Sequence, residues 1–264
     1  MAMSHLQHFH YQITGNEQGP KLVFLHGLMG AGHNWRRIVP DFEPNYHILT
    51  YDQRGHGRSF QPSEGYAPED FAEDLRQILN ELGWERVYLV GHSLGGRNAL
   101  NFASHSPDRV LKLVLVDIGP ELSPESDQQI HHIISSVPTP FSSREEAKSF
   151  LLQSYPEALA QYLYTNIEKK KDSGLYDWRF FKQGILQALE QGRAQSRWEE
   201  VVALQMPTLL VRGEVSETLP LDVYQRMLEA NHLIRGVEIP GAGHWVHADQ
   251  PEEFSRLLGQ FLQE

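Results

Sequence analysis

The stretch that decides the fold is Arg86–Gly96, which reads R-V-Y-L-V-G-H-S-L-G-G. Its first half is apolar and rich in β-branched residues, as expected of a strand buried on both faces. Its second half is a G-x-S-x-G pattern that runs directly into a helical pattern at Leu94–His105. A sharp turn from strand to helix exposes a serine hydroxyl, and glycines fit beside it where a Cβ would not. The stretch therefore predicts that Ser93 is a nucleophile at the end of a buried strand.

Strands of this kind alternate with helical patterns over most of the chain. This alternation predicts an α/β fold, with helices on both faces of a mostly parallel sheet. Leu6–Gly15 is expected to add one or two antiparallel strands at the edge. The other predicted strands are Lys21–Gly27, His47–Asp52, Arg86–His92, Val110–Asp117, Pro207–Gly213 and Gly236–Ile239, and the helices are Pro68–Leu82, Leu94–His105, Leu221–Ala230 and Pro251–Leu262.

One stretch, from about Glu121 to Gln205, breaks the alternation because it carries no strand signal. Its pattern predicts helices at Ser142–Ser154, Pro156–Lys171 and Trp178–Gln191. A helical insertion in an α/β pattern is typical of a lid over one end of the sheet. Residues 1–120 and 206–264 are therefore expected to form the core and residues 121–205 the lid. The alternative is a separate helical domain, which the return of the chain to the sheet disfavours.

Two glycine-rich segments supply the other groups that acyl transfer from a serine requires. His26-Gly27-Leu28-Met29-Gly30 ends the first long strand, and the backbone N–H of Leu28 is a candidate donor to an oxyanion. The N–H of Leu94, directly after the serine, is the second candidate donor. Gly241-Ala242-Gly243-His244-Trp245 follows the last strand. Histidine is the side chain suited to general-base work near neutral pH, so His244 is the predicted base.

Composition excludes several other functions. The 264 residues contain no cysteine and carry a formal net charge of −11, which excludes thiol chemistry and disfavours nucleic acid as a partner. Neither a signal peptide nor a membrane-inserting run is recognisable, and a cytoplasmic location is expected. The histidines lack metal-ligand spacing with a third ligand, so no metal is expected. No cofactor is expected either, and the chain is read as a monomer or homodimer.

The chain resembles the α/β-hydrolase superfamily through four motifs in the family's order: H-G-L-M-G, D-Q-R-G-H-G-R-S (Asp52–Ser59), G-H-S-L-G-G and G-A-G-H-W. The resemblance looks closest to the small bacterial esterase and thioesterase branch that includes ABHD11-like hydrolases. It implies an eight-stranded sheet, a helical lid inserted after strand six, and a catalytic triad in the order Ser, acid, His. It also implies that Asp52–Ser59 is a structural turn.

The triad acid departs from the family pattern. Most members place an Asp after strand seven, where this chain has Ser216. A serine cannot carry the charge that stabilises an imidazolium. Asp117, at the end of strand six, is the preferred candidate because a buried carboxylate at a strand end needs a partner. Glu217 is the second candidate, and Glu214 lies in the same loop.

These residues predict a serine hydrolase that cleaves a carboxylic ester or thioester through an acyl-enzyme. Met29 and Trp245 are candidates for the substrate pocket, as are the aromatic residues Phe141, Tyr162 and Tyr164. Arg97 lies one helical turn after Ser93, where it would either bind a substrate carboxylate or pair with a buried acid. The first role keeps open an alternative function, that of a lyase or C–C bond hydrolase acting on a carboxylate-bearing metabolite.

Overall fold

Seven strands form the central sheet in a computed structural model that describes residues 4–121 and 124–264. The strands are β1 Tyr11–Gly15, β2 Lys21–Leu25, β3 His47–Tyr51, β4 Val87–His92, β5 Val110–Val116, β8 Thr208–Gly213 and β9 Ile234–Ile239, with β6 Ile167–Lys169 and β7 Tyr176–Trp178 forming a separate small sheet. The spatial order in the central sheet is β1-β3-β2-β4-β5-β8-β9; β1 runs antiparallel to β3, and the other neighbours are parallel.

Helices cover both faces of the sheet. Because successive side chains of a strand point to opposite faces, Val23 and Leu25 of β2 pack in one hydrophobic core while Leu22 and Phe24 pack in a second. The helices are α1 Val39–Phe42, α2 Pro68–Glu81, α3 Leu94–His105, α4 Pro124–Ser136, α5 Arg144–Ser154, α6 Glu157–Thr165, α7 Lys182–Arg193, α8 Trp198–Ala203, α9 Leu221–Ala230, α10 Val246–Asp249 and α11 Pro251–Gln263, with short 3₁₀ turns at His5–His8, Gly32–Trp35 and Pro107–Arg109.

The α/β architecture predicted from the sequence is confirmed, but the sheet has seven strands within the described residues and not the eight implied by the family resemblance. The difference lies at the N-terminus. His5–His8 forms a 3₁₀ turn and Phe9 is buried in the core, so this segment contributes only β1 to the sheet. As a result, the strand that precedes the long insertion is the fifth in chain order.

The segment between β5 and β8 differs from the all-helical insertion predicted. Helices α5, α6 and α7 lie near the predicted ranges, but the second ends at Thr165 instead of Lys171. The chain then forms the β6–β7 hairpin, whose connecting turn contains Gly174 at φ +71°. Each of these strands has three residues, which is too short to show a periodic pattern in the sequence.

Buried side chains of this segment form a hydrophobic cluster of their own, which includes Ile134, Leu151, Leu163 and Trp178 and also contacts Met29. None of the described helices is long and apolar enough to cross a membrane.

Candidate active site

The sequence-predicted site residues meet at one edge of the sheet. Each follows the carboxyl end of a parallel strand: Leu28 follows β2, Ser93 follows β4, Asp117 follows β5 and His244 follows β9. In an open α/β sheet this edge is where ligands bind.

Ser93 lies in a strained turn between β4 and α3. Its backbone has φ +52° and ψ −118°, an unfavourable conformation for a residue with a Cβ. The turn is tight because the neighbouring glycines touch backbone: a Cβ on Gly91 would lie 2.3 Å from the carbonyl oxygen of Gly95, and one on Gly95 would lie 2.5 Å from that of Leu25. The Ser93 N–H donates to the carbonyl of Val116 at 3.0 Å. The glycines of the motif thus allow β4, α3 and the end of β2 to pack closely around the serine.

Asp117 is the carboxylate that reaches His244. Its Oδ2 lies 2.8 Å from Nδ1 of His244, and the same oxygen accepts a hydrogen bond from the Ser216 hydroxyl at 2.5 Å. Its Oδ1 accepts the N–H of Gly213 at 3.1 Å. Three donors therefore satisfy a carboxylate that is completely buried, as a buried charge requires. Glu217, the second candidate acid, lies on the wall of the neighbouring cavity.

The contact with Asp117 fixes which ring nitrogen of His244 is available for chemistry. Because Nδ1 donates to the carboxylate, Nε2 is left as the proton acceptor. Behind this ring lies His92, whose ring centroid is 4.7 Å from that of His244 and whose Nε2 donates to the His244 carbonyl at 2.9 Å. Burial, together with the neighbouring His244 and His247, lowers the pKa of His92 well below its ordinary value. His92 is therefore a neutral support for the loop that carries His244.

Sequence reasoning missed this supporting role of His92, although the residue stands inside the G-x-S-x-G motif. It also missed the packing role of His247, which stacks on Trp35 with ring centroids 4.4 Å apart and lies 4.7 Å from His92. Burial lowers the pKa of His247 to about 3.

The turn that follows β2 is held by His26. Nδ1 of His26 donates to the carbonyl of Gly27 at 2.8 Å, and its Nε2 accepts the N–H of Gln53 at 2.9 Å. Burial lowers the pKa of His26 to about 4, which keeps the ring neutral and this pattern intact near neutral pH. Leu28 and Met29 come next, and Met29 has φ +59°.

The D-Q-R-G-H-G-R-S motif forms a turn beside this one. The carboxylate of Asp52 accepts the N–H of Gly32 at 2.8 Å and that of Arg58 at 2.9 Å. Both of its oxygens are thus engaged by backbone, which agrees with the structural role that the resemblance implies.

Two cavities open next to Ser93 and His244. The larger, of about 380 Å³, has mainly apolar walls to which Met29 and Trp245 contribute. The segment between β5 and β8 adds Ile130, Ile133, Leu159 and Tyr162 to this lining. The smaller cavity has a volume of about 90 Å³. Besides Ser93 and His244, it is lined by Leu28, Leu94, Arg97, Ile118, Ile130, Ala188, Leu189 and Thr218.

The remaining candidates for substrate contact divide between the cavities and the core. Met29, Trp245 and Tyr162 line the larger cavity, and Arg97 lines the smaller one. Phe141 is buried inside the segment between β5 and β8, and Tyr164 packs against the same cluster. Within residues 4–121 and 124–264, no group of three or more His, Cys, Asp or Glu side chains is arranged to hold a metal ion.

The fold and the gathering of these residues at one sheet edge define the α/β hydrolase class. Residues 20–251 match a protein family described by its alpha/beta hydrolase fold, and the chain belongs to that family.

Similar proteins include named hydrolases. The chain is 31% identical over 265 residues to a putative esterase/lipase of Haemophilus influenzae, covering 99% of this chain and 90% of the relative. It is 31% identical over 261 residues to the sn-1-specific diacylglycerol lipase ABHD11 of Danio rerio, covering 94% and 80% of the two chains. Among solved structures, a marine microorganism esterase superposes with a TM-score of 0.85 at 30% identity, covering 96% of this chain and 98% of that one. The expected resemblance to the esterase and ABHD11-like branch is confirmed.

Proposed function

We propose that the protein is a serine hydrolase that cleaves carboxylic esters or thioesters through a Ser93–His244–Asp117 triad. The observation that carries this proposal is the 2.8 Å contact between Asp117 and Nδ1 of His244, at a point where His244 and Ser93 border the same two cavities. The names of the relatives, an esterase/lipase and a diacylglycerol lipase, support the same bond type. Triad chemistry of this kind requires no cofactor.

The first half of the reaction forms an acyl-enzyme. Oγ of Ser93 attacks the acyl carbon while its proton passes to Nε2 of His244, and Asp117 stabilises the resulting imidazolium. The carbonyl oxygen becomes an oxyanion, which the N–H groups of Leu28 and Leu94 would bind. Leu94 is the first residue of α3, so its N–H belongs to the helix turn whose amides have no intrahelical acceptor. His244 then gives its proton to the leaving oxygen or sulfur.

The second half hydrolyses this intermediate. Water donates a proton to Nε2 of His244 and attacks the acyl carbon, and the same two N–H groups bind the second oxyanion. Its collapse releases the acid and returns the proton to Ser93.

In this proposal the segment 121–205, which the sequence predicts to be a lid, is a cap over the larger cavity. Its four contributions to the lining are Ile130, Ile133, Leu159 and Tyr162. Apolar walls with a polar reaction centre at one end suit an acyl chain or another apolar ester group.

The test is hydrolysis of p-nitrophenyl esters with acyl chains from acetyl to palmitoyl, with thioesters assayed in parallel. Turnover by the wild type and its loss in Ser93→Ala are the expected results, together with covalent labelling of Ser93 by a fluorophosphonate. Ser104→Ala is a matched control on the same helix, since the Ser104 hydroxyl bonds only to its own helix turn and to His105 among the described contacts. Unchanged hydrolysis in Ser93→Ala, or well-folded wild type that neither hydrolyses nor reacts, would contradict the proposal.

A second function is favoured by the position of Arg97. This residue is 4% exposed, and it lines the smaller cavity together with Ser93. A guanidinium there would bind the carboxylate of an acidic metabolite, which a lyase or C–C bond hydrolase of this fold would cleave. Arg97 also has an interaction within the chain. Arg97→Ala should then abolish C–C bond cleavage of a carboxylate-bearing 1,3-dicarbonyl substrate and spare hydrolysis of a neutral ester of similar length. Equal losses on both would assign Arg97 to structure.

A further inference from the structure

The backbone turn that carries Leu28 has a conformation that its own sequence does not favour. The N–H of Gly30 donates to the carbonyl of Gly27 at 3.0 Å, which closes a four-residue turn. Its third residue, Met29, has φ +59°, and Leu28 is not among the residues with positive φ. These features define a type II turn, in which Gly or Asn is preferred at the third position. Methionine is disfavoured there because its Cβ crowds the backbone.

A type I turn over the same four residues would place Met29 in an ordinary conformation. The two turn types differ by rotation of the central peptide through about half a turn, here the peptide that joins Leu28 and Met29. That rotation would move the Leu28 carbonyl to the opposite side of the chain. Both residues border the larger cavity beside Ser93, so the direction of this peptide dipole matters to any oxyanion formed there.

One side chain from the cap holds this peptide in place. Tyr162 of α6 donates its hydroxyl to the Leu28 carbonyl at 2.8 Å. Its ring packs against Trp245, the neighbour of His244, with centroids 4.9 Å apart. Tyr162 thus touches both the turn after β2 and the loop that carries the proposed base. Burial raises the pKa of Tyr162 above its ordinary value, so the hydroxyl remains a donor throughout the pH range of an esterase assay.

We infer that Tyr162 is a positioning residue: when the cap is in place, it keeps the Leu28–Met29 peptide in its type II orientation. This fixes the direction of that peptide's dipole beside the oxyanion donor, the Leu28 N–H of the preceding peptide. The inference rests on the proposed hydrolase function and adds a link between the cap and the catalytic edge of the sheet. Since the residue that donates to the Leu28 carbonyl belongs to the cap, both parts of the chain fix the surroundings of the oxyanion donor.

The test removes one oxygen atom. Tyr162→Phe keeps the ring beside Trp245 and deletes the donor, and we expect kcat to fall about tenfold with KM nearly unchanged. The affinity for an alkyl boronic acid, which forms a tetrahedral adduct on the serine, should fall by a similar factor. The loss should be the same at every pH. Tyr155→Phe is the matched control, because it deletes a hydroxyl that contacts Ser136 within the cap at 2.9 Å.

A double-mutant cycle with Met29→Gly isolates the turn. Glycine adopts positive φ readily, so the loss of the Tyr162 hydroxyl should matter several-fold less in the Met29→Gly background than in the wild type. Amide hydrogen exchange of the peptide containing residues 26–31 should rise in Tyr162→Phe and not in Tyr155→Phe.

The outcomes separate the two proposals. Activity in Tyr162→Phe that matches wild type, a loss that Tyr155→Phe shares, or a change confined to KM would overturn the inference and leave the hydrolase intact. A wild type without Ser93-dependent hydrolysis would overturn the function and the inference together. If Tyr162→Phe does not fold, Met29→Val provides the same test, since a β-branched residue resists positive φ: a fall in kcat supports the inference, and unchanged kcat refutes it.

Discussion

Asp117 reaches His244 across 127 positions of sequence, with 2.8 Å between Oδ2 and Nδ1. The contact is possible because β5 and β9 run parallel in the same sheet and end at the same edge, separated only by β8. Asp117 itself has φ +51°, an uncommon backbone conformation for a residue that is not glycine. The strained backbone and the three hydrogen-bond donors around the carboxylate hold it where it orients the imidazole.

Replacing this carboxylate tests its role directly. Asp117→Asn should reduce kcat by about 10³–10⁴-fold, since an amide can stabilise the wrong tautomer of His244 and cannot balance an imidazolium. Steady-state kinetics with a p-nitrophenyl ester measures the effect, and circular dichroism verifies the fold. Glu217→Gln should keep kcat within the wild-type order of magnitude. The reverse pattern would place the acid in the loop after β8.

The Ser216 hydroxyl offers a way to move the acid. It lies 2.5 Å from the Asp117 oxygen that contacts His244, so a carboxylate at position 216 is within reach of the same ring nitrogen. We expect Ser216→Asp in the Asp117→Asn background to regain at least about tenfold in kcat over Asp117→Asn alone. Ser216→Asn in the same background is the control, because it adds similar volume without the charge. Equal rates in the two double variants would contradict the expectation.

Much of this edge could be predicted from the sequence because its residues stand in local patterns. The G-x-S-x-G turn predicts an exposed serine through the steric needs of two glycines, and Asp117 follows from the cost of an unpartnered carboxylate at the end of a buried strand. The sequence favours Asp117 over Glu217 but does not decide between them, since the choice depends on how β5, β8 and β9 are ordered in space.

Other features depend on contacts between segments that no local pattern relates. The hydrogen bond from Tyr162 to Leu28 joins residues 134 positions apart, and α6 shows no more than an ordinary helical pattern there. The β6–β7 hairpin has strands of three residues each, whose pairing is decided by a turn at Gly174 instead of by hydrophobic alternation. The eighth strand implied by the resemblance is replaced by the 3₁₀ turn at His5–His8.

The close packing around Ser93 predicts that a larger side chain at Gly95 destabilises the fold. A Cβ at Gly95 would lie 2.5 Å from the carbonyl oxygen of Leu25 and 2.6 Å from that of His26, so Gly95→Ala must displace the end of β2. We expect a destabilisation of about 3 kcal/mol or more and loss of hydrolysis. Urea unfolding followed by fluorescence measures the change.

A second glycine supplies the comparison. Gly259 lies within α11, and a Cβ there would have its nearest contact at 3.8 Å, with the ring of Phe42. Gly259→Ala should therefore raise stability by up to about 1 kcal/mol through helix propensity. Similar effects of the two substitutions would show that the contact at Gly95 is relieved without cost.

Buried histidines make stability depend on pH in a defined direction. Burial lowers the pKa of His247 and His56 to about 3 and that of His26 to about 4, from an ordinary value of 6.5. Between these values the unfolded chain binds protons that the folded chain does not, so stability falls as the pH falls. Each such histidine contributes a slope approaching about 1.4 kcal/mol per pH unit, which corresponds to a difference of one bound proton between the unfolded and folded chains.

His247 is suited to a test of that slope, because its Nδ1 has no hydrogen-bond partner among the described residues and its ring stacks on Trp35. His247→Phe keeps an aromatic ring on Trp35 and removes the titrating group. In His247→Phe we expect the free energy of unfolding to fall less steeply than in the wild type as the pH decreases from about 6 to about 4. The difference between the two slopes should correspond to about one bound proton. Urea unfolding at a series of pH values gives the slope. His232→Gln is the control for the loss of one histidine, because this side chain is exposed to solvent. A His247→Phe slope equal to that of the wild type would mean that His247 does not couple folding to proton binding.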